Sequence, residues 1–517
     1  MAENQNIKDY LPVEVDFSQK IPPIKRMDDK TKIDVRYALI SPFAFAHVYW
    51  DEKEFEVVYH IEEPILNEQE IIQKEEIINA MKEIINFEEI VERDEKKLLE
   101  YLNKMYKVLV IELGMNMSYD SYKKIFYYVA RDFMGFNEIE PLLRDYFVED
   151  IECNGANFPV YLVHRIFRNL KTNLIFRDMS ALENFVEKLA QRSGKYISYS
   201  NPILDATLPD GSRINATYTK DITSRGPTFT IRKFTKTPWT PPQLLNFRTL
   251  SPEMMSYLWL LVQYKMSILI AGGTASGKTT LLNAMAFFIP PEARVVSIED
   301  TRELNLPREN WLPSVSRSST GIKGMGEVDL FTLLRASFRQ NPDYVIVGEV
   351  RGKEAYVLFQ GMASGHPSIG TIHADSVDTV IKRLESPPID LSPTLLNVLD
   401  CVCVMTHATV KNQETRKLRE IVEILDVDSK GVALTNRPFF WNAQDDQFYY
   451  KESNKIFDKI SMREGLRVDQ LELEFRRRAE LLRRMQTKGI FSFEQVQDTI
   501  TEYYKRPIEV LKRFGMM

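Results

Sequence analysis

A chain of 517 residues is too long for one hydrophobic core and predicts two to four domains. Its 44% apolar and 27% charged residues are those of a globular protein, and a net charge of −6 excludes general attraction to nucleic acid, leaving only local basic patches. Three cysteines, Cys153, Cys401 and Cys403, have neither Cys-x-x-Cys spacing nor an even count, so no disulfide framework is expected and a reducing compartment is implied.

The first 16 residues lack the apolar core of a signal peptide. Residues 1–32, polar with lysines and prolines, read as a mobile arm. Residues 37–40 and 55–61 read as paired strands. Asn67 with Glu70 forms a capping box, and Ile77, Ile78, Met81, Ile84 and Ile85 recur at helical spacing. Helix continues through 98–113 and 122–133, giving an α+β domain over 33–232 whose helical part is about 67–147. From about 148 the pattern turns to strands at 160–163, 174–176, 213–218 and 228–232, with Pro209-Asp210-Gly211 as a turn. Pro238, Pro241 and Pro242 mark 233–245 as a semi-rigid linker.

Residues 246–517 alternate helix and strand as an α/β domain does, ending in a helical tail. The most apolar window, 257–271, is short and holds Gln263 and Lys265, so it does not span a bilayer; work at a membrane would go through a partner. In the tail, Leu471, Phe475, Ala479 and Leu482 form one face, with residues 476–478, all arginine, expected on the opposite, solvated face.

Gly272-Gly273-Thr274-Ala275-Ser276-Gly277-Lys278-Thr279-Thr280 fits Gly-x-x-x-x-Gly-Lys-Thr. A strand-like run at 266–270 precedes it and a helical run at 281–288 follows. In that context backbone N–H groups and the helix dipole favour phosphate. Lys278 then reaches the terminal phosphates of ATP, and the Thr279 hydroxyl ligates Mg²⁺.

The apolar run 295–298 ends in Glu299 and Asp300, as a parallel strand neighbouring the P-loop strand would. A carboxylate there can take a proton from an attacking water, or simply end a strand. A second apolar run, 344–347, leads to Glu349 in the manner of a Walker B, with Glu349 approaching the Mg²⁺ shell through water; the alternative is an ion pair with Arg351. His366 and His373, two of six histidines, read as part of a loop near the γ-phosphate with His373 donating to it, or as buried histidines satisfied by backbone. No cysteine stands near them to complete a zinc site.

The order of P-loop, Ile-Glu-Asp, Val-Gly-Glu-Val-Arg and Gly-Thr-Ile-His-Ala-Asp resembles the type II/type IV secretion ATPase superfamily. The runs 128–136, 149–155, 204–213 and 225–234 resemble the N-terminal domain of its archaeal branch, within which the chain is most similar to the archaellum motor ATPases. The resemblance covers roughly 33–430. It implies a C-terminal RecA-like P-loop domain, an N-terminal α+β domain with a PAS-like part over about 148–232, and a ring-forming homohexamer. Each subunit would bind Mg-ATP between its own two domains, completed by a neighbour, and hydrolysis would move the domains about residues 238–242. By the same resemblance Glu299 activates water, Glu349 completes the Walker B with the metal, His373 senses the γ-phosphate, and Arg213 and Arg232 approach the phosphates. Implied partners are a polytopic membrane platform protein and accessory cytoplasmic ATP-binding and scaffold ring proteins, with no nucleic acid. The implied task is assembly or rotation of an archaeal type IV pilus-like filament from the cytoplasmic face. An adhesive pilus or secretion system is the alternative, and a nucleic-acid-translocating motor a remoter one. Asn341 stands where many relatives carry an acid, and the tetracysteine zinc module of some relatives is missing.

Overall fold

The computed structural model describes residues 7, 10–19, 21–22, 29–84, 94–234, 237–306, 308–317, 326–410, 413–428, 431–452 and 454–516. The chain divides into two compact units, Met1–Phe234 and Thr235–Met517.

In the first unit β1 (Asp34–Ile40), β2 (Ala44–Asp51) and β3 (Glu56–Glu62) form an antiparallel meander. The strands expected at 37–40 and 55–61 do not pair with each other. Strand β2 lies between them, burying Ala44, Ala46 and Val48 at alternate positions. Helix α1 (Glu68–Ile84) starts at the capping box: Glu70 N–H donates to Asn67 Oδ1 at 2.9 Å and Asn67 N–H to Glu70 Oε2 at 2.8 Å. Such a cap contributes about 1 kcal/mol. Ile77 and Met81 are buried, whereas Ile84 is exposed and Ile85 lies outside the described residues.

Helices α2 (Glu95–Glu112), α3 (Tyr119–Met134) and α4 (Glu140–Arg144) follow, then β4 (Val148–Cys153), β5 (Pro159–His164), β6 (Arg168–Ile175), α5 (Met179–Arg192), β7 (Ile203–Thr207), β8 (Arg213–Thr217) and β9 (Thr228–Arg232). Among the described residues the sheet runs β1-β2-β3-β6-β5-β4-β9-β8-β7, with a single parallel contact, β3 to β6, joining its halves.

The mobile arm expected over 1–32 does not hold for residues 10–17. Tyr10, Val13, Val15 and Phe17 are buried. The Asn103 side chain takes both the N–H and the carbonyl of Val13, at 2.8 and 3.1 Å, and Asp16 N–H donates to the Ser41 carbonyl at 2.9 Å. Four apolar side chains spread among polar ones supply enough burial to anchor an otherwise hydrophilic stretch.

The second unit contains α6 (Pro241–Asn246), α7 (Pro252–Gln263), β10 (Ile268–Gly272), α8 (Lys278–Ala286), β11 (Val295–Glu299), β12 (Trp311–Val315), α9 (Leu330–Ser337), β13 (Tyr344–Val350), α10 (Glu354–Ala363), β14 (Ser368–Ile372), α11 (Val377–Glu385) and α12 (Pro393–Leu396). Then come β15 (Cys401–Val410), β16 (Gln413–Val427), β17 (Ala433–Asn442), β18 (Gln447–Tyr450), α13 (Lys455–Glu464), α14 (Val468–Thr487), α15 (Phe493–Lys505) and α16 (Pro507–Arg513). Pro241 and Pro242 are not extended linker. They are buried in the first turn of α6, which Thr240 opens, its N–H donating to Gln243 Oε1 at 2.8 Å.

The described strands order as β12-β11-β13-β14-β10-β15-β16-β17-β18, parallel from β12 to β15 and antiparallel beyond. Ile268 and Ile270 face one core with α7, α8 and the tail; Leu269 and Ala271 face another with α10 and α11. Helices on both faces of a parallel sheet, with the P-loop after an internal strand, make this the RecA-like α/β unit. The strand ending in Glu299 is not the neighbour of the P-loop strand: β13 and β14 lie between β11 and β10.

In the tail Leu471, Phe475, Ala479 and Leu482 are buried as expected, but Arg478 is not on the solvated face. It is 3% exposed, its guanidinium lies 4.7 Å from the Trp259 ring centre, and Nε donates to Glu474 at 2.9 Å. A long stem and a planar cation let one arginine fill an aromatic pocket that a helical wheel assigns to water.

Candidate nucleotide site

The P-loop joins β10 to α8. Ala275 and Gly277 take left-handed backbone, φ 56° and 95°, so successive N–H groups turn toward one side. A side chain at Gly272 would collide with Ser276 Oγ and, at 2.7 Å, with the Met405 carbonyl. Ser276 Oγ itself donates to the Gly273 carbonyl at 2.8 Å, tightening the turn. The exposed Gly273, Thr274 and Ala275 form its crest. Lys278 Nζ donates to the carbonyls of Gly272, at 3.0 Å, and Gly273, at 2.8 Å, which holds the ammonium over the loop. Burial pulls the Lys278 ammonium down, against the opposing charges of Glu349 and Glu303. Thr279 and Thr280 are half-buried in the first turn of α8.

The two carboxylates stand at the C-terminal ends of adjacent parallel strands, β11 and β13. Glu299 is 1% exposed. Its Oε1 accepts from the N–H groups of Glu303, at 2.8 Å, and Leu304, at 2.9 Å. Its Oε2 is buried with no hydrogen-bond partner among the described residues. Burial raises the carboxyl to about 7, against the pull of those two N–H groups. Gly348 makes room for it, since a Cβ there would meet Glu299 Cγ at 3.1 Å.

Glu349 meets different surroundings. Its Oε2 accepts from Arg351 at 2.6 Å, and Arg351 also reaches Asp300 at 3.4 Å. His373 Nε2 is 4.0 Å from Glu349 Oε1. Burial pushes the Glu349 carboxyl up, but Arg351, His373 and Lys278 together hold it below the ordinary range. The ion pair with Arg351 is thus present, and Glu349 also feels the Lys278 charge. Burial, helped by Lys278, lowers His373 against the pull of Glu349. Arg383 donates to the His373 carbonyl at 2.7 Å and Arg419 to that of Asp375 at 2.8 Å, which fixes the loop.

His366 is not part of this site. It precedes β14 and His373 follows it, so the strand carries them to opposite ends of the sheet. His366 packs edge-on against Phe338, 5.1 Å between ring centres. Arg213 and Arg232 belong to the first unit, whereas every phosphate-loop element belongs to the second. They are register partners on β8 and β9, and each meets an acid there: Arg213 with Asp205 at 2.8 Å, Arg232 with Asp150 at 3.4 Å. Asn341 adopts left-handed backbone, φ 52°, which asparagine tolerates as an aspartate does.

Sequence reasoning missed Asn283, Met405 and Arg416. Asn283 Nδ2 donates to the carbonyls of Thr279, at 3.2 Å, and Glu303, at 3.3 Å, tying α8 to the loop that holds Glu299. Its signal was the four-residue step from Thr279, one turn along the same helix face. Met405 and Arg416 come from a distant hairpin and left no local signal.

The residues fit Mg-ATP. A turned glycine loop, a buried lysine, a hydroxyl at the start of a helix and two carboxylates, one with a buried oxygen still to be satisfied, are the donor set that a triphosphate, its cation and a water require.

The family described as type II/IV secretion system protein matches residues 134–420. An uncharacterized protein of Methanocaldococcus jannaschii is 36% identical, covering 99% of this chain and 97% of its own. The type IV secretion system protein PtlH of Bordetella pertussis is 35% identical over 35% of this chain and 60% of its own length. Among solved structures, the VirB11 ATPase of the Brucella suis type IV secretion system is 28% identical, covering 55% of this chain and 95% of that one, with a TM-score of 0.29.

Proposed function

The chain belongs to the type II/IV secretion system protein family, and we propose that it hydrolyses Mg-ATP as a homohexameric motor for an archaeal type IV pilus-like filament, the archaellum first among them. The observation that carries hydrolysis rather than binding alone is the contrast between its two carboxylates. Glu299 keeps a buried, unpartnered Oε2 near neutrality, and Glu349 is held ionised beside Lys278. The near full-length relative in an archaeon supports the archaeal setting. An adhesive pilus or a secretion system is the second reading, and the family's description supports the latter.

Bound Mg²⁺, held by Thr279 and, through water, by Glu349, would neutralise charge on the β- and γ-oxygens. Lys278 exchanges its loop carbonyls for phosphate oxygens. Glu299 Oε2 takes the proton of the attacking water. His373 donates to the γ-phosphate, and Arg213 and Arg232 reach it from the first unit of a neighbouring subunit. Among the described residues no helix is long and apolar enough to cross a membrane, so contact with the cytoplasmic face goes through a polytopic platform protein, with accessory ATP-binding and scaffold ring proteins around it. The test is phosphate release with and without magnesium, alongside sedimentation with ATP. Magnesium-dependent release by a six-subunit ring is expected. Stimulation by single-stranded DNA at moderate salt would favour a nucleic-acid motor instead.

A further inference from the structure

Strand β10 divides the catalytic edge of its sheet. On one flank β14, β13 and β11 lead to His373, Glu349 and Glu299. On the other stand β15 and β16, which contribute nothing to that chemistry yet press on the phosphate loop. A Cβ at Gly277 would meet Met405 Cε at 3.3 Å and Arg416 Cδ at 3.4 Å. Arg416 is the direct cross-strand partner of His407, two residues beyond Met405, so the three side chains share one sheet face, the face that carries α8.

We propose that Arg416 binds the diphosphate that ATP and ADP have in common. This rests on the nucleotide reading of the P-loop. The terminal phosphate is placed by Lys278, Glu349 and His373 on the β13–β14 flank, so the rest of the ligand leaves the loop across Gly277 and the start of α8, toward β15 and β16. The stem of Arg416 crosses that glycine, and a guanidinium at its end presents a planar fork of donors suited to phosphate oxygens. The hairpin is then the wall that retains nucleotide, and the opposite flank is where the nucleotide reacts. Arg416 should act on ATP and ADP alike, unlike His373, which meets only the γ-phosphate.

The test uses the full chain with fluorescent mant-ADP and mant-AMP-PNP, and three variants. Arg416→Met keeps the stem over Gly277 and removes the charge; Arg416→Lys keeps a charge without the fork; His373→Ala is the contrast. Arg416→Met should weaken both nucleotides by about tenfold, the loss expected for one charge-assisted contact. Arg416→Lys should recover part of the loss, and His373→Ala should weaken mant-AMP-PNP far more than mant-ADP. Unchanged affinities in Arg416→Met, or a loss confined to mant-AMP-PNP, overturn the proposal and leave the ATPase reading standing. A lower melting temperature and kcat with both affinities intact would make Arg416 a packing residue and likewise overturn it. Failure of the parent chain to bind mant-ADP would sink the ATPase reading, and this proposal with it.

Discussion

The two sheets bury their strands in different ways. Strands β10 and β11 are buried at every position, whereas β7, β8 and β9 are buried only at alternate ones. A parallel sheet clad by helices on both sides leaves polar chemistry to the strand ends, where Glu299, Glu349 and His373 stand. A half-exposed antiparallel sheet sets charges along its strands, so Arg213 and Arg232 sit among acids such as Asp205 and Asp150. Position alone therefore singles out a candidate functional charge in the second unit, and does not in the first.

The contrast breaks most sharply at Lys278. Lys278→Ala should lower phosphate release by roughly 1000-fold or more and weaken nucleotide binding, since the lysine is the buried cation of the loop. A rate within tenfold of the parent would mean that the strand-end geometry is not the site.

Glu299 sharpens it through pH. A base must be deprotonated to act, so kcat/KM should rise with pH to an apparent pKa of about 7 and level off above it. Glu299→Gln should remove that limb and cost roughly 100-fold or more in rate. The sign for stability is opposite. The folded chain holds this proton up to about 7, above the ordinary glutamate range, so the parent loses stability as pH rises through that window and the Gln variant does not. A flat pH–rate profile between 6 and 8 would remove Glu299 as the base.

In the first unit the effects should be smaller and confined to turnover. Arg232→Ala or Arg213→Ala should lower kcat by roughly 10- to 100-fold and move KM only a few-fold, because the charge they meet grows in the transition state. Mixing Lys278→Ala with Arg232→Ala subunits should partly restore activity if the arginines act in trans. Subunits that exchange freely without any recovery would assign them to ion pairs within their own unit.

Arg478→Ala should leave the kinetics alone and lower stability by about 2–4 kcal/mol, because it empties a buried aromatic pocket and takes one partner from Glu474, which keeps the Tyr503 hydroxyl. An unchanged melting temperature would mean that the tail is not integral to the second core.

The second unit was the more legible in sequence because its signals are local. The P-loop, Glu299 and Glu349 each follow an apolar run, and the run dictates a buried strand. Strand order was not legible: adjacency along the chain suggested that β11 neighbours β10, and only packing inserts β13 and β14 between them. His366 and His373 looked like one loop because six intervening residues can be a loop or hold a whole strand, and here five of them, Ser368–Ile372, are β14. In the first unit, Asp178 as a cap with Leu182, Phe185, Val186 and Leu189 behind it encodes α5, which the surrounding strand pattern obscured. Tyr10, Val13, Val15 and Phe17 were lost in a polar composition, although Val13, Val15 and Phe17 stand at alternate positions. The contact of Arg416 with Gly277 crosses well over a hundred residues, and no local pattern reports it.

The central claim is that one sheet edge both binds Mg-ATP and turns it over, with Glu349 serving the second step. The most direct measurement is Glu349→Gln, compared with the parent for mant-ATP affinity and for single-turnover phosphate release in the same preparation. Affinity within a few-fold of the parent and release slowed by roughly 100-fold or more are expected. Release near the parent rate, with affinity intact, would contradict the claim.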